Sequence, residues 1–70
     1  MNQEVLNRVL ELRNKANLTQ EELAGEVGVT RQTIIAIEKG NYTPSVLLAL
    51  NIAKFFNKSV ESVFKLSDEK

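Results

Sequence analysis

The sequence predicts an all-α fold: a single compact domain over residues 1–70, built from five short helices with a short strand at the C-terminal KLS segment. Three observations predict it. Apolar residues recur at helical spacing in successive short segments, Thr and Ser stand just ahead of most of those segments, and glycines stand just behind two of them. Seventy residues with 43% hydrophobic content allow one small core. A domain of that size buries only ~60% of the surface its unfolded chain exposes, so self-association adds stability.

The first helix is expected over residues 3–16, where Val5, Val9, Leu12 and Ala16, joined by Leu6 and Leu10, make one apolar stripe. Arg13 intrudes on that stripe. The second helix, 20–27, begins after Thr19 because TQEE supplies a capping box: the Thr19 hydroxyl accepts from the Glu22 amide while the Glu22 carboxylate accepts from the Thr19 amide. Leu18 and Leu23 sit where a hydrophobic staple needs them. Gly28 closes this helix in a left-handed conformation free of a Cβ clash, and Gly25 inside it is a weak point.

Thr30 caps the third helix, 31–39, and Val29 with Ile34 repeats the staple. Ile34 and Ile37 face inward, Arg31, Gln32, Thr33, Ile35 and Ala36 lie around the first two turns, and Gly40 ends the helix. A connection of about three residues between the second and third helices sets them at a steep crossing. After the NYT loop, Thr43 with Pro44 at the first helical position starts the fourth helix, 45–57. Its apolar residues cover more than half the circumference and leave Leu47, Asn51 and Lys54 on the remaining arc, which reads as a central or doubly packed helix. Ser59 caps a last helix, 60–64, ahead of a polar tail.

The chain has no cysteine and no histidine, which excludes disulfides, thiolate zinc sites and His- or Cys-based nucleophilic catalysis. The acidic residues fall on separate helices with no nucleophile and base at a working spacing, so the chain is not read as an enzyme, and no cofactor or small-molecule ligand is expected. No apolar run approaches the ~18 residues of a membrane span, and the N-terminus alternates charged and apolar residues, unlike a secretory signal; the expectation is a cytoplasmic protein. Formal net charge is zero, but it is unevenly spread: net −2 over residues 1–30 (three basic, five acidic), net +3 over 31–58 (four and one), net −1 over 59–70 (two and three). Positive charge is concentrated in the segment that opens with the third helix.

Gln20, Leu23, Ala24, Gly28, Val29, Ile34, Ile37, Glu38 and Gly40 stand at offsets that resemble the Cro/C1-type (XRE-like) helix-turn-helix regulators, and QEELAGEVGVTRQTIIAIEKGNYTPS is close to that family's usual wording. The likeness covers residues 5–64 and implies a lambda-repressor-like fold whose partner is double-stranded operator DNA. In this resemblance the third helix is the recognition helix, with Arg31 and Gln32 at the principal base-reading positions. An Arg fork matches guanine O6 and N7, and a Gln amide matches adenine N6 and N7. Thr33, Ala36 and Ile35 would meet thymine methyls or exclude wrong bases. Gln20 occupies a phosphate-gripping position, supported by the free amides of its helix end, with Thr30, Lys39, Asn41, Tyr42 and Thr43 continuing the backbone grip.

Arg13 lies on the buried side of the first helix, where a charge needs a partner, and the resemblance implies an ion pair with Glu38; both are assigned to structure. One recognition helix reads few bases, so the family usually binds as dimers to half-sites about one DNA turn apart, ~34 Å. Val60, Val63 and Leu66 are the expected dimer contact, with Leu47 or Phe55 nearby. A dimer over a promoter most simply represses transcription. The competing reading is a protein-interaction module of the antitoxin or bridging-factor type, favoured by the neutral charge and an exposed Ile35.

Overall fold

Thr19 and Thr30 open the two helices that local chemistry specifies most fully, and in the computed structural model, which describes residues 3–69, both act as caps. The Thr19 hydroxyl accepts from the Glu22 amide at 3.0 Å and the Glu22 carboxylate accepts from the Thr19 amide at 2.8 Å, completing the capping box of α2 (Gln20–Val27). Gly28 follows with φ +77°, and the Val29 amide closes the end on the Ala24 carbonyl at 3.0 Å. Thr30 accepts from the Thr33 amide at 3.3 Å to start α3 (Arg31–Glu38), with Lys39 as C-cap; Gly40, φ +78°, ends it and the Asn41 amide returns to the Ala36 carbonyl. These helix ends follow from interactions spanning six residues at most.

The N-terminal segment differs from the helix expected over 3–16. Val5–Asn7 is a strand, β1, and α1 spans only Val9–Lys15. Asn7 consolidates the break that pairing with residues 64–66 imposes: its Oδ1 accepts from the Val9 amide at 3.0 Å and its Nδ2 donates to the Ile37 carbonyl at 2.9 Å. Ala16 and Leu10 are exposed and take no part in the core, whereas Val9 and Leu12 are buried. Glu11 accepts from Arg8 and pairs with Lys15, and the hydrogen bond from Arg8 holds its carboxyl below the usual carboxylate range.

The fourth helix, α4 (Val46–Phe55), is capped by Ser45, whose Oγ accepts from the Leu48 amide at 3.1 Å; Thr43 and Pro44 therefore belong to the preceding loop and do not start the helix. Asn57, φ +57°, terminates it two residues before the expected end. Nor is α4 covered on all sides. Leu48, Ile52 and Ala53 are buried, but Val46 and Leu47 are 77% and 70% exposed, and Leu50 and Phe55 are also on the surface. The last helix, α5 (Val60–Val63), gives way at once to β2 (Phe64–Leu66), which pairs antiparallel with β1 in the register Val5↔Leu66, Leu6↔Lys65, Asn7↔Phe64. Ser59 precedes α5 without a side-chain capping bond, and a 3₁₀ turn, Ser67–Glu69, follows β2.

The five α-helices of the described residues all contribute to one core: Val9 and Leu12, Leu23 and Ala24, Ile34 and Ile37, Leu48, Ile52 and Ala53, and Val63. The fold is mostly helical with the two-stranded sheet tying its ends together. Among the described residues, no helix is long and apolar enough to cross a membrane. Met1, Asn2 and Lys70, which the expected domain span takes in, lie outside the described residues.

Candidate nucleic-acid interface

Helix α3 is anchored at one end and free at the other. Ile34 and Ile37 are fully buried, the Ile37 carbonyl accepts from Asn7, and Glu38 is clamped by two neighbours. At the opposite end Arg31 and Gln32 are exposed, with no side-chain hydrogen bond or ion pair among the described residues. Gly28 and the extended Thr30 set this exposure, because the left-handed turn redirects the chain and the cap starts a new helix two residues later. A guanidinium and a carboxamide thus stand together on the first turn of a helix whose remaining turns are fixed in the core.

Thr33 is half-buried and its hydroxyl bonds the Thr30 hydroxyl at 3.1 Å, so both threonines take part in the cap of α3. Ala36 and Ile35 are also half-buried. Ile35 is therefore not the freely exposed side chain that the adaptor reading relies on. Lys39, Asn41, Tyr42 and Thr43 are all exposed, and run on from the end of α3 into the loop before Ser45. Ser45 is the residue sequence reasoning missed here: its cap fixes where that loop must end, and the signal was a Ser directly ahead of the apolar run VLLAL.

Gln20 does not stand free at the start of α2. Its Nε2 donates to Glu38 Oε1 at 3.0 Å, and the same carboxylate receives Arg13 Nε at 2.6 Å on Oε2 and Arg13 Nη2 at 3.2 Å on Oε1. Arg13 Nη1 also donates to the Leu18 carbonyl at 2.8 Å. The Arg13 and Glu38 side chains are 11% and 5% exposed. This group joins α1, the turn before α2, the first residue of α2 and the last residue of α3. Beside it, a polar groove is lined by Arg13, Thr19, Gln20, Glu21 and Arg31, and Glu21 and Arg31 also border a second groove with Gly25, Thr30 and Gln32. Glu21 is thus a carboxylate near Arg31 and Gln32, which the separate helical segments of the sequence did not place there.

Of the residues expected at a dimer contact, Val63 is fully buried beneath the monomer's own helices and is not available to a second chain. It points inward because α5 is a single turn whose one inward position must close the core. Val60 is half-buried and lines a groove with Leu50, Ala53, Lys54 and Asn57, while Leu66 is exposed on β2.

Residues 9–63 match the family model described as helix-turn-helix. The HTH-type transcriptional regulator YgzD of Bacillus subtilis is 56% identical over 63 residues, covering 90% of this chain and 96% of the relative. The cryptic phage CTXphi transcriptional repressor RstR of Vibrio cholerae is 31% identical over 62 residues, covering 89% of this chain and 56% of RstR. Among solved structures, the restriction-modification controller protein C.AhdI of Aeromonas hydrophila superposes with a TM-score of 0.73 at 29% identity, covering 79% of this chain and 83% of that one.

Proposed function

Because the chain belongs to the helix-turn-helix family of DNA-binding transcriptional regulators, whose members are not enzymes, we propose that it binds a specific operator as a homodimer and acts as a repressor, with the first turn of α3 in the major groove. The observation that carries this reading is the pair Arg31 and Gln32, exposed together at the head of a helix that Ile34 and Ile37 fix to the core. Arg31 reads guanine and Gln32 adenine through bidentate hydrogen bonds, with Thr33, Ala36 and Ile35 bordering the same bases. Thr30, Gln20 and the run Lys39, Asn41, Tyr42 and Thr43 hold the phosphates on either side and set the register. Repression is the reading favoured by the likeness to RstR, a protein that carries that name.

The dimer contact in this reading runs over the C-terminal face, with Leu66 on β2 and the groove between Leu50 and Val60 supplying apolar surface. Two recognition helices then meet successive major grooves ~34 Å apart. Selection from a random duplex library tests the whole reading: the expected result is a palindromic site with half-sites one turn apart, and enrichment of no sequence overturns it. Leu66→Glu, followed by sedimentation equilibrium, tests the dimer: a charge on that surface shifts the chain to monomer and weakens operator binding. An unchanged dimer removes Leu66 from the interface.

A protein-interaction role remains the second reading, now favoured by the exposed Val46 and Leu47 of α4 instead of Ile35. Fluorescence anisotropy against selected and random duplexes at ~0.1 M salt separates the two, since an adaptor shows no sequence preference.

A further inference from the structure

Glu38 receives three hydrogen bonds, and only two of them come from its ion-pair partner. The third is from Gln20 Nε2 at 3.0 Å, across from the end of α3 to the first residue of α2. A primary amide carries two N–H donors. With one fixed on a buried carboxylate, the amide plane is held and the second N–H has a set direction instead of sweeping through the rotamers of a free glutamine side chain. The Gln20 residue is only half-buried and lines the open polar groove that also contains Thr19, Glu21 and Arg31, so the amide that carries the remaining donor belongs to a surface groove shared with Arg31.

We propose that Glu38 is a positioning residue for DNA binding: its carboxylate orients the Gln20 amide toward a backbone phosphate, while Arg13 holds the carboxylate in place and neutralises it. This inference rests on the reading of Gln20 as a phosphate contact. Arg13 supplies what makes the arrangement workable, since a bare buried carboxylate so close to the phosphate would repel it. The network also fixes the distance between a phosphate grip on α2 and the base-reading helix α3, because one carboxylate belongs to the end of α3 and its ligand to the start of α2. Preorganisation of this kind lowers the ordering cost of binding without adding a contact.

The test is a double-mutant cycle with Gln20→Ala and Glu38→Gln in the full chain, read by anisotropy with a mixed-sequence DNA duplex, since a phosphate contact carries no base preference. Measurements are made well below each variant's melting midpoint, checked by circular dichroism. Gln20→Ala is expected to weaken binding about tenfold, the loss of one hydrogen bond to a charged acceptor. Glu38→Gln is expected to weaken it about threefold alone and to have no further effect in the Gln20→Ala background. The change in the Gln20 side-chain amide resonances on adding the duplex provides a readout that a purely structural role does not move: it shrinks in Glu38→Gln while the change at Gln32 is retained. Should Glu38→Gln melt too low, Glu38→Asp enters the same cycle, retaining the charge against Arg13 while withdrawing the carboxylate by one methylene. If Gln20→Ala binds like the parent, the phosphate contact itself is wrong and the positioning role goes with it. If Gln20→Ala weakens binding but Glu38→Gln weakens both backgrounds equally and leaves the duplex-induced change at Gln20 intact, the phosphate contact stands and the positioning role is overturned.

Discussion

Replacing Arg13 by alanine removes three hydrogen bonds at once, two to the Glu38 carboxylate at 2.6 and 3.2 Å and one to the Leu18 carbonyl at 2.8 Å. What remains is a carboxylate on a side chain only 5% exposed, with Gln20 as its one side-chain donor. Breaking a buried pair from one side costs ~3–5 kcal/mol, chiefly because the surviving charge is left uncompensated. Gln20 still solvates Glu38 in part, which places Arg13→Ala near the lower end, about 3 kcal/mol. A domain of this size loses ~4–8 °C of melting temperature per kcal/mol, so the midpoint is expected to fall by roughly 12–24 °C. Urea and thermal denaturation followed by circular dichroism measure the free-energy loss and the midpoint shift, at one fixed protein concentration so that self-association cannot contribute differently to the variants. Arg13→Met combined with Glu38→Leu completes the argument: replacing both partners by apolar groups of similar volume is expected to recover most of the loss. A single substitution that costs less than ~0.5 kcal/mol, or a double one that costs as much as the single, would show that the pair is not the buried, mutually dependent unit described.

The remaining predictions concern the turn and the interface. Gly28→Ala forces a side chain into φ +77° where no atom lies within 4 Å of the added Cβ, so its cost is conformational alone, about 1–2 kcal/mol, whereas Gly25→Ala, in open space within a helix, is expected to stabilise by about 0.5–1 kcal/mol. Thermal melts of the two variants should move in opposite directions; parallel shifts would contradict the assignment of Gly28 as the left-handed end of α2. Gln32→Ala is expected to relax discrimination at one base position per half-site by about 1–3 kcal/mol. Lys39→Ala is instead expected to weaken all duplexes alike and to reduce the salt slope by about 1. Competition binding with single-position operator variants distinguishes them, and identical behaviour would remove the division between reading and gripping residues.

The helix-turn-helix unit was readable from the chain because each of its determinants acts over three to six residues. Thr19 with Glu22, Thr30 with Thr33, and Gly28 with Ala24 and Val29 find one another by local spacing, so the start of α2, the turn and the start of α3 follow from composition and order alone. Arg31 and Gln32 were legible as candidate readers for the same reason: the cap at Thr30 assigns them to a first helical turn.

The N-terminus was not readable in that way. Val5, Leu6 and Asn7 fit a helical stripe as well as a strand, since three residues do not separate a period of 2 from one of 3.6, and the choice falls to a partner segment some sixty residues away at Phe64–Leu66. Val63 likewise looked as available as Val60 or Leu66 until the packing of α5 turned it into the core. Gln20 gave no sign that its amide is held, because the carboxylate that holds it is eighteen residues on.

Sequence by itself thus determined the helical class, the position of the turn and the pair of side chains at the head of α3, all consequences of short-range hydrogen bonds and hydrophobic period. Only the tertiary structure decided which apolar residues remain outside, that residues 5–7 and 64–66 pair as a sheet, and that the Arg13–Glu38 pair, expected from the resemblance, also takes in Gln20. Those outcomes depend on contacts between segments remote along the chain, whose closure becomes favourable only when the shared core forms and therefore leaves no local imprint.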